Sequence, residues 1–369
     1  MKKKVVGLVL SLTMVAGLVM GCGGSSASST AASSTAKTST AASTAASTAA
    51  SMTPASTAAS TAASKASSTS TASKSDKKYK IGFSQCTLGS PFYTEMKDVA
   101  ESYAKELGVD ITVVSADDDV QKQNNDINDL ISSGIDALIL NPMNTDGVAT
   151  GIQACKDAGI PVITVDRMAS SGATAAIVRD NKKMGNIVGE ALLKTLGGKD
   201  NAKGTILELQ GTSGDQVMMD RRDGFEEAFK DASGIKIVQS AYCDYERAKA
   251  ITAAQDLIQA NTDIVAVYGH NDDMALGGMQ ACQEAGLKDV KICGVDGLME
   301  AINAIAAGNY SCTALNDPGS ELKIAIDTCI KVLDGETVDA SIDAGTGLVD
   351  SSNASQYVNA DLAFAANDK

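Results

Sequence analysis

The chain has 369 residues, of which 44% are hydrophobic and 21% charged, and a formal net charge of −14. Six Lys and one Asp lie in the first 76 residues, so the other 293 residues carry −19, which disfavours binding to nucleic acid. One His is present, which excludes a zinc site with two His ligands. The 293 residues suffice for one large or two ordinary domains.

The first 21 residues have the pattern of a secretory signal peptide. Lys2, Lys3 and Lys4 precede an apolar run that is too short to span a membrane comfortably. The run ends in Gly21-Cys22, which resembles the lipobox of bacterial lipoproteins, where the Cys becomes the lipidated N-terminus. We therefore expect a lipoprotein signal peptide over residues 1–21. An ordinary signal peptide with a chance Cys is the alternative.

Residues 22–76 begin with the predicted lipidated Cys and continue as repeats of Ser, Thr and Ala. Such a composition cannot bury enough apolar surface to offset the entropy of ordering, so it predicts a disordered linker between the membrane and a soluble module. A glycosylated stalk is the alternative. Seven further Cys follow without a C-x-x-C motif, and free thiols in an exported protein suggest an anaerobic or reducing habitat.

From residue 79 onward, short apolar runs alternate with segments of helical periodicity. The predicted strands are 79–84, 110–115, 137–141, 161–166, 175–178, 205–209, 235–240, 264–269, 291–295 and 311–315. The predicted helices are 91–107, 120–133, 147–158, 182–196, 220–231, 246–259, 274–284, 298–307 and 321–333. This alternation predicts parallel sheets wrapped by helices, and about ten strands fit two domains of five or six strands each.

Polar residues follow five of the predicted strands, where parallel α/β sheets bind their ligands. They are Asn141, Asp166, Arg167, Asn271, Asp272, Asp296, Asn316 and Asp317. Each one alone is explained by a helix cap or an Asx-turn. Because the pattern recurs at five strand ends, we expect a polar cleft.

Several motifs occur in an order that resembles the periplasmic sugar-binding proteins of ABC importers, of the ribose/galactose type. They are Ser90-Pro91-Phe92-Tyr93, Asn141-Pro142, Ile163-Thr164-Val165-Asp166-Arg167, Leu209-Gln210-Gly211, Arg221 with Gly224-Phe225, Asn271-Asp272-Asp273-Met274-Ala275-Leu276-Gly277, Gly294-Val295-Asp296-Gly297 and Asn316-Asp317-Pro318. The resemblance implies an α/β fold of two similar doubly wound parallel-sheet domains, joined by a hinge that the chain crosses three times. The N-terminal lobe would comprise residues 77–179 plus 317–345, and the C-terminal lobe residues 180–316 plus 346–369.

The resemblance also implies a set of sugar contacts in the cleft between the lobes. They are Ser90, Phe92, Tyr93, Asn141, Asp166 and Arg167 from the first lobe, and Arg221, Tyr245, Asn271, Asp296 and Asn316 from the second lobe and the hinge. Aromatic faces can cover the C–H faces of a sugar, while carboxylates, amides and guanidinium groups bond its hydroxyls. Asp166 next to Arg167 would help to neutralise a buried charge.

Four of these positions depart from the ribose-type pattern. Ser90 stands where that pattern commonly has Asn, Asn316 where it has Gln, and Tyr93 and Tyr245 where it has Phe. The changes predict a more polar and slightly wider pocket, suited to a hexose or another pentose. The calcium loop of galactose-type members has no counterpart here, so we expect neither a metal nor a cofactor.

The implied function is capture of a monosaccharide and its delivery to an ABC permease and ATPase complex. We expect a monomeric binding protein, lipid-anchored on the extracytoplasmic face of the cell membrane, with no enzymatic activity and no nucleic-acid partner. A sensor serving a chemoreceptor or a two-component system is the alternative. A glycoside hydrolase that uses Asp166 and Asp296 as its carboxylate pair, or His270 as a base, is the remote one.

Overall fold

The computed structural model describes residues 78–367. The predicted signal peptide, Cys22 and the linker lie outside the described residues. The first half of the described chain holds strands β1 to β5 and helices α1 to α3. In order they are β1 Lys80–Gln85, α1 Pro91–Leu107, β2 Asp110–Ser115, α2 Val120–Ser132, β3 Ala137–Leu140, α3 Ala149–Asp157, β4 Val162–Val165 and β5 Ala175–Val178.

The second half continues the alternation and ends in two short strands. Its elements are α4 Asn181–Thr195, β6 Gly204–Gln210, α5 Gln216–Phe229, β7 Ile235–Tyr242, α6 Arg247–Ala260, β8 Ile264–Gly269, α7 Asp272–Glu284, β9 Lys291–Asp296, α8 Met299–Ala306, β10 Cys312–Leu315, α9 Pro318–Leu333, β11 Ser341–Asp343 and β12 Leu348–Asp350. Within residues 78–367, no helix is long and apolar enough to cross a membrane.

The strands form two six-stranded sheets, with orders β11-β5-β4-β3-β1-β2 and β12-β10-β9-β8-β6-β7. All pairs are parallel except β10 with β12. The chain passes between the sheets after β5, after β10 and after β11. The predicted fold class, two doubly wound parallel-sheet domains with a three-crossing hinge, is thereby confirmed. The prediction missed β11 and β12, because three residues are too few to show a strand pattern.

Several helices begin earlier than predicted because a polar residue that follows a strand, directly or after a short loop, caps the next helix. Asp215 caps α5 at Gln216, whereas the prediction began at residue 220. The Asn271 side chain accepts a hydrogen bond from the Met274 backbone N–H at 2.9 Å, so α7 starts directly after it. Caps of this kind satisfy backbone N–H groups that have no partner inside the helix.

The hinge is tied together by one buried side chain, Arg179, which lies in the first crossing. Its Nε donates to Glu321 at 2.9 Å, and its Nη2 donates to the Asp317 carbonyl at 2.9 Å in the second crossing. Its Nη1 donates to the Gly345 carbonyl in the third crossing. A single guanidinium group therefore connects all three hinge segments.

The seven cysteines within the described range are free and buried. Burial raises the pKa of the Cys155 and Cys282 thiols to about 11, because the thiolate is poorly solvated in the interior. These cysteines therefore act as small apolar residues in the core.

Candidate ligand-binding site

Residues from both lobes meet in one pocket between the two sheets. Nine of the predicted contacts line it together with Val217: Ser90, Phe92, Tyr93, Asp166, Arg221, Tyr245, Asn271, Asp296 and Asn316. They come from the N-terminal ends of helices and the carboxyl ends of strands, where doubly wound sheets present their loops. The topology thus gathers side chains that are up to 226 positions apart in the sequence.

The other two predicted contacts, Asn141 and Arg167, lie beside the pocket. The fully buried Asn141 donates from Nδ2 to the Asp166 Oδ2 at 3.4 Å. The guanidinium of Arg167 lies 5.6 Å from the centre of the Tyr93 ring. Its Nη2 forms an ion pair with Asp215 at 3.3 Å. The direct ion pair of Arg167 is therefore with an acid of the opposite lobe, while its charge also lowers the pKa of Asp166, as the predicted neutralisation requires.

On the second lobe, Arg221 is the centre of a buried polar network. Its Nη1 lies 3.2 Å from the Asp296 Oδ1 and donates to the His270 carbonyl at 2.6 Å. Its Nε donates to the Asn181 Oδ1 at 2.9 Å. Asn316 Nδ2 also donates to Asp296 Oδ1 at 3.0 Å. The network fixes the Asp296 carboxylate in the pocket wall and leaves its second oxygen for other partners.

Burial away from water raises the pKa of both carboxyl groups in the pocket. Desolvation raises the pKa of Asp296 to about 6, against the opposing charge of Arg221. Desolvation also raises the pKa of Asp166, while the charges of Arg167 and Arg221 lower it. Each carboxyl group can accept hydrogen bonds when ionised and can donate one when protonated. Such groups suit a ligand whose hydroxyls both donate and accept.

The aromatic side chains form one wall of the pocket. Phe92 and Tyr93 are both buried and contact each other edge to face, with ring centres 5.4 Å apart. Both face inward, although the sequence required only one of them to do so. Phe364 packs on Phe92 at 6.0 Å. The Tyr245 hydroxyl donates to Asp215 at 2.7 Å, so this ring is anchored at its polar end.

Several buried polar atoms around the pocket have no hydrogen-bond partner among the described residues. They are Gln85 Oε1, Ser90 Oγ, Asn141 Oδ1, Thr164 Oγ1 and Arg167 Nε. All belong to the first lobe, at the carboxyl-terminal part of its strands or in the loops that follow. An unpaired buried polar group costs about 1–3 kcal/mol. Of these five residues, Ser90 lines the pocket, and Asn141 and Arg167 contact residues that line it. The site therefore keeps unused donors and acceptors on these three residues that a polar ligand can satisfy.

The pocket is tight in this conformation. Its cavity volume is about 20 Å³, which is room for about one water molecule. The predicted widening relative to the ribose-type pattern stays a prediction. A monosaccharide ring requires the side chains or the lobes to move apart.

Three residues of the site were not predicted: Asp215, Val217 and Phe364. Asp215 is separated from the end of β6 by the loop 211–214, so it does not stand directly after a strand. A Cβ on Gly211 in this loop would lie 2.4 Å from the Tyr245 ring, so only Gly allows the loop to pass so close. Asp is a preferred residue at the cap position before a helix, so placing the start of α5 at Gln216 would have shown Asp215 as its cap.

His270 is fully buried and belongs to the support of the second lobe. Its Nε2 lies 2.8 Å from Glu208 Oε1, and its Nδ1 accepts a hydrogen bond from the Gly211 N–H at 3.3 Å. The ring thus connects β6, β8 and the loop that carries Asp215. Among residues 78–367, no group of three or more metal-binding side chains occurs. Of the acidic triplet at residues 117–119, Asp119 caps α2, as a helix start requires.

Comparisons with known proteins place the chain. A family model for the periplasmic binding protein domain matches residues 81–337. The ribose import binding protein RbsB of Bacillus subtilis is 34% identical over 273 residues, which are 74% of this chain and 87% of that protein. RbsB of Escherichia coli is 33% identical over 74% of this chain and 90% of that protein.

A solved structure of an ABC transporter solute-binding protein from Mycobacterium smegmatis, with bound glycerol, superimposes with a TM-score of 0.75. It is 50% identical and covers 79% of this chain and 100% of its own. The match with the family model spans more than half of the sequence and both sheets described above. The chain therefore belongs to the periplasmic sugar-binding proteins of ABC importers.

Proposed function

We propose that this protein is an extracytoplasmic solute-binding lipoprotein of an ABC importer, which binds a pentose or a hexose in the cleft between its lobes and delivers it to a membrane permease. The observation that carries the proposal is the set of unpaired buried polar atoms around a pocket that also offers two carboxyl groups, two amides and a guanidinium. Such atoms are costly unless a polar ligand bonds them.

The relatives agree with a small polyol as ligand. The Bacillus and Escherichia proteins are named for ribose import, and the Mycobacterium structure holds glycerol. Aromatic rings on one wall and charge-assisted hydrogen bonds on the other suit a sugar, which has C–H faces and hydroxyl edges. Because Asp296 is already bonded by Arg221 and Asn316, we propose that it orients a hydroxyl and performs no proton transfer.

Binding would be coupled to closure of the lobes. Contacts between residues of opposite lobes in this conformation include the ion pair of Arg167 with Asp215 and the ring contact of Phe92 with Phe364. A ligand that bonds both walls at once binds the closed state better than the open one, and only that difference can shift the population. The closed form would then dock on the permease.

The anchor is part of the proposal. Lipidation of Cys22 would hold the module at the extracytoplasmic face of the cell membrane, with residues 23–76 as its tether. Membrane retention of a Cys22→Ser variant would contradict this assignment.

Isothermal titration with a panel of pentoses and hexoses tests the function. We expect one or a few of them to bind, and Asp166→Ala to lose binding while circular dichroism shows an unchanged fold. Asp157→Ala, at the end of α3, is the matched control and should bind as the unmodified protein does. If no pentose or hexose binds, or if Asp166→Ala keeps full affinity, the proposal fails.

A further inference from the structure

A second cavity, of about 340 Å³, lies between the lobes beside the tight pocket. Its size falls in the range of sites that bind small molecules. Asp166 and Val217 line both spaces. The two spaces therefore lie next to each other, with these side chains in the walls of both.

The boundary between the pocket and the second cavity is formed by side chains, which can rotate. Asp215, which lines the second cavity, accepts the hydrogen bond from Tyr245, which lines the pocket, at 2.7 Å. Asp215 also forms an ion pair with Arg167, which lies on the other side of the cleft, at the long distance of 3.3 Å. These are contacts between side chains, so rotation of a few side chains would join the two spaces.

The lining favours an uncharged occupant. Both arginines that face the cavity are engaged: Arg179 by Glu321 and hinge carbonyl groups, and Arg167 by Asp215 and the Cys86 Sγ. Three carboxyl groups, those of Asp166, Asp215 and Asp220, face the same space. A phosphate or carboxylate would meet these acids without a free cation, so anionic ligands are disfavoured.

Apolar and hydroxyl-compatible surfaces alternate around the cavity. Met168, Ala169, Val178 and Val217 supply apolar atoms, and Met168 keeps 55% of its surface exposed. Asn144, Thr145 and Ser170 supply polar side chains. The Arg167 side chain is nine-tenths buried, and its Nε has no partner among residues 78–367. That N–H can bond an oxygen atom of a ligand once the side chains that cover it move.

We propose that the cleft binds a monosaccharide linked to an uncharged second group, an aglycone or another sugar, and that this group occupies the second cavity. The inference rests on the proposed function, because the sugar itself is held by the tight pocket. It extends the ligand class from free monosaccharides to glycosides.

Titration with each bound monosaccharide, its methyl and phenyl glycosides, its disaccharides and its phosphates tests the inference. We expect at least one uncharged glycoside or disaccharide to bind at least tenfold more tightly than its parent sugar. Gln216→Trp, at the exposed start of α5 in the cavity wall, should remove that gain and keep the affinity for the parent sugar within about twofold. Met168→Trp, on the opposite lobe, is the second filling variant.

Gln280→Trp is the matched control. Gln216 bonds Asp220 and Gln280 bonds Glu284, each four residues on along a helix, at 2.8 and 2.9 Å. Both Trp variants lose this bond, and only Gln216→Trp adds bulk in the cavity. The inference is overturned if glycosides and disaccharides bind no better than the parent sugar, if both filling variants leave glycoside binding unchanged, or if a sugar phosphate is the tightest ligand. In these cases the parent sugar still binds, whereas failure of the proposed function would leave no sugar bound at all.

Discussion

At the scale of single residues, Asp215 has the largest number of roles in the cleft. It caps α5, accepts the Tyr245 hydroxyl and pairs with Arg167 of the other lobe. Its neighbour in function, Arg167, has no other acidic partner within ion-pair distance among the described residues. The charge of Asp215 therefore helps to hold the lobes together.

Asp215→Asn is expected to weaken sugar binding at least fivefold. The amide oxygen keeps the cap, and the amide nitrogen takes the place of the oxygen that accepts from Tyr245, where it can donate to the Tyr245 hydroxyl. The charge opposite Arg167 is lost, so the closed state is less favoured by about 1 kcal/mol. Asp223→Asn is the control, because Asp223 pairs with the neighbouring Arg222 at the surface and with no other cation among residues 78–367. Titration of both variants checks this, and equal affinities would contradict a role for the ion pair.

The composition of the site was largely readable from the sequence, whereas its pairing was not. Residues such as Asp296 and Asn271 stand directly after strands, and the parallel topology alone brings them to one edge. The partner of Arg167 depends on how closely the lobes approach, which no local pattern encodes. The same holds for Phe364, which comes from the last described segment of the chain.

At the scale of elements, the strongest patterns gave the right bounds. Helix α1 and strands β2, β5 and β8 begin and end where the periodicity predicts. The starts of α4, α5, α7 and α9 were placed late, because Asp and Asn can either end a strand or cap a helix. Contacts in the pocket and in the hinge determine whether such a residue ends the strand, caps the next helix or does both.

The Arg179–Glu321 ion pair connects segments of the hinge, and both of its side chains are 1% exposed. Arg179→Met should lower the free energy of unfolding by about 3–5 kcal/mol, because it leaves the Glu321 carboxylate buried without a cation. Adding Glu321→Leu should recover much of that loss. Urea unfolding measures both variants.

Arg222→Met is the control for the hinge variant. Arg222 pairs with Asp223 at the surface and should cost no more than about 1 kcal/mol. If Arg179→Met costs no more than this control, the hinge is held by backbone contacts alone.

At the scale of the whole molecule, the buried acids determine how stability depends on pH. Desolvation raises the pKa of Asp272 to about 8 and that of Asp296 to about 6. These groups bind more protons folded than unfolded between their ordinary carboxyl pKa and about 8. The free energy of unfolding should therefore rise as the pH falls from about 8 toward about 5.

Thermal unfolding followed over this pH range checks the expectation. Asp272→Asn keeps an oxygen for the Gly297 and Leu298 N–H groups, which bond Asp272 at 2.8 and 2.9 Å, but it removes one titrating group. Its stability should therefore vary less with pH than that of the unmodified protein. A melting temperature that falls on acidification across the whole range would contradict the assignment.

The seven buried thiols determine how the protein is inactivated by oxidation over time. In the folded protein these thiols are buried and do not contact a dissolved oxidant. When a lobe unfolds, the thiols are exposed and can form non-native disulfides, after which the chain cannot refold. Durability in aerated medium would then be governed by the frequency of opening and not by the folding equilibrium. An occupied cleft, by keeping the halves together, would lengthen the working life of the protein.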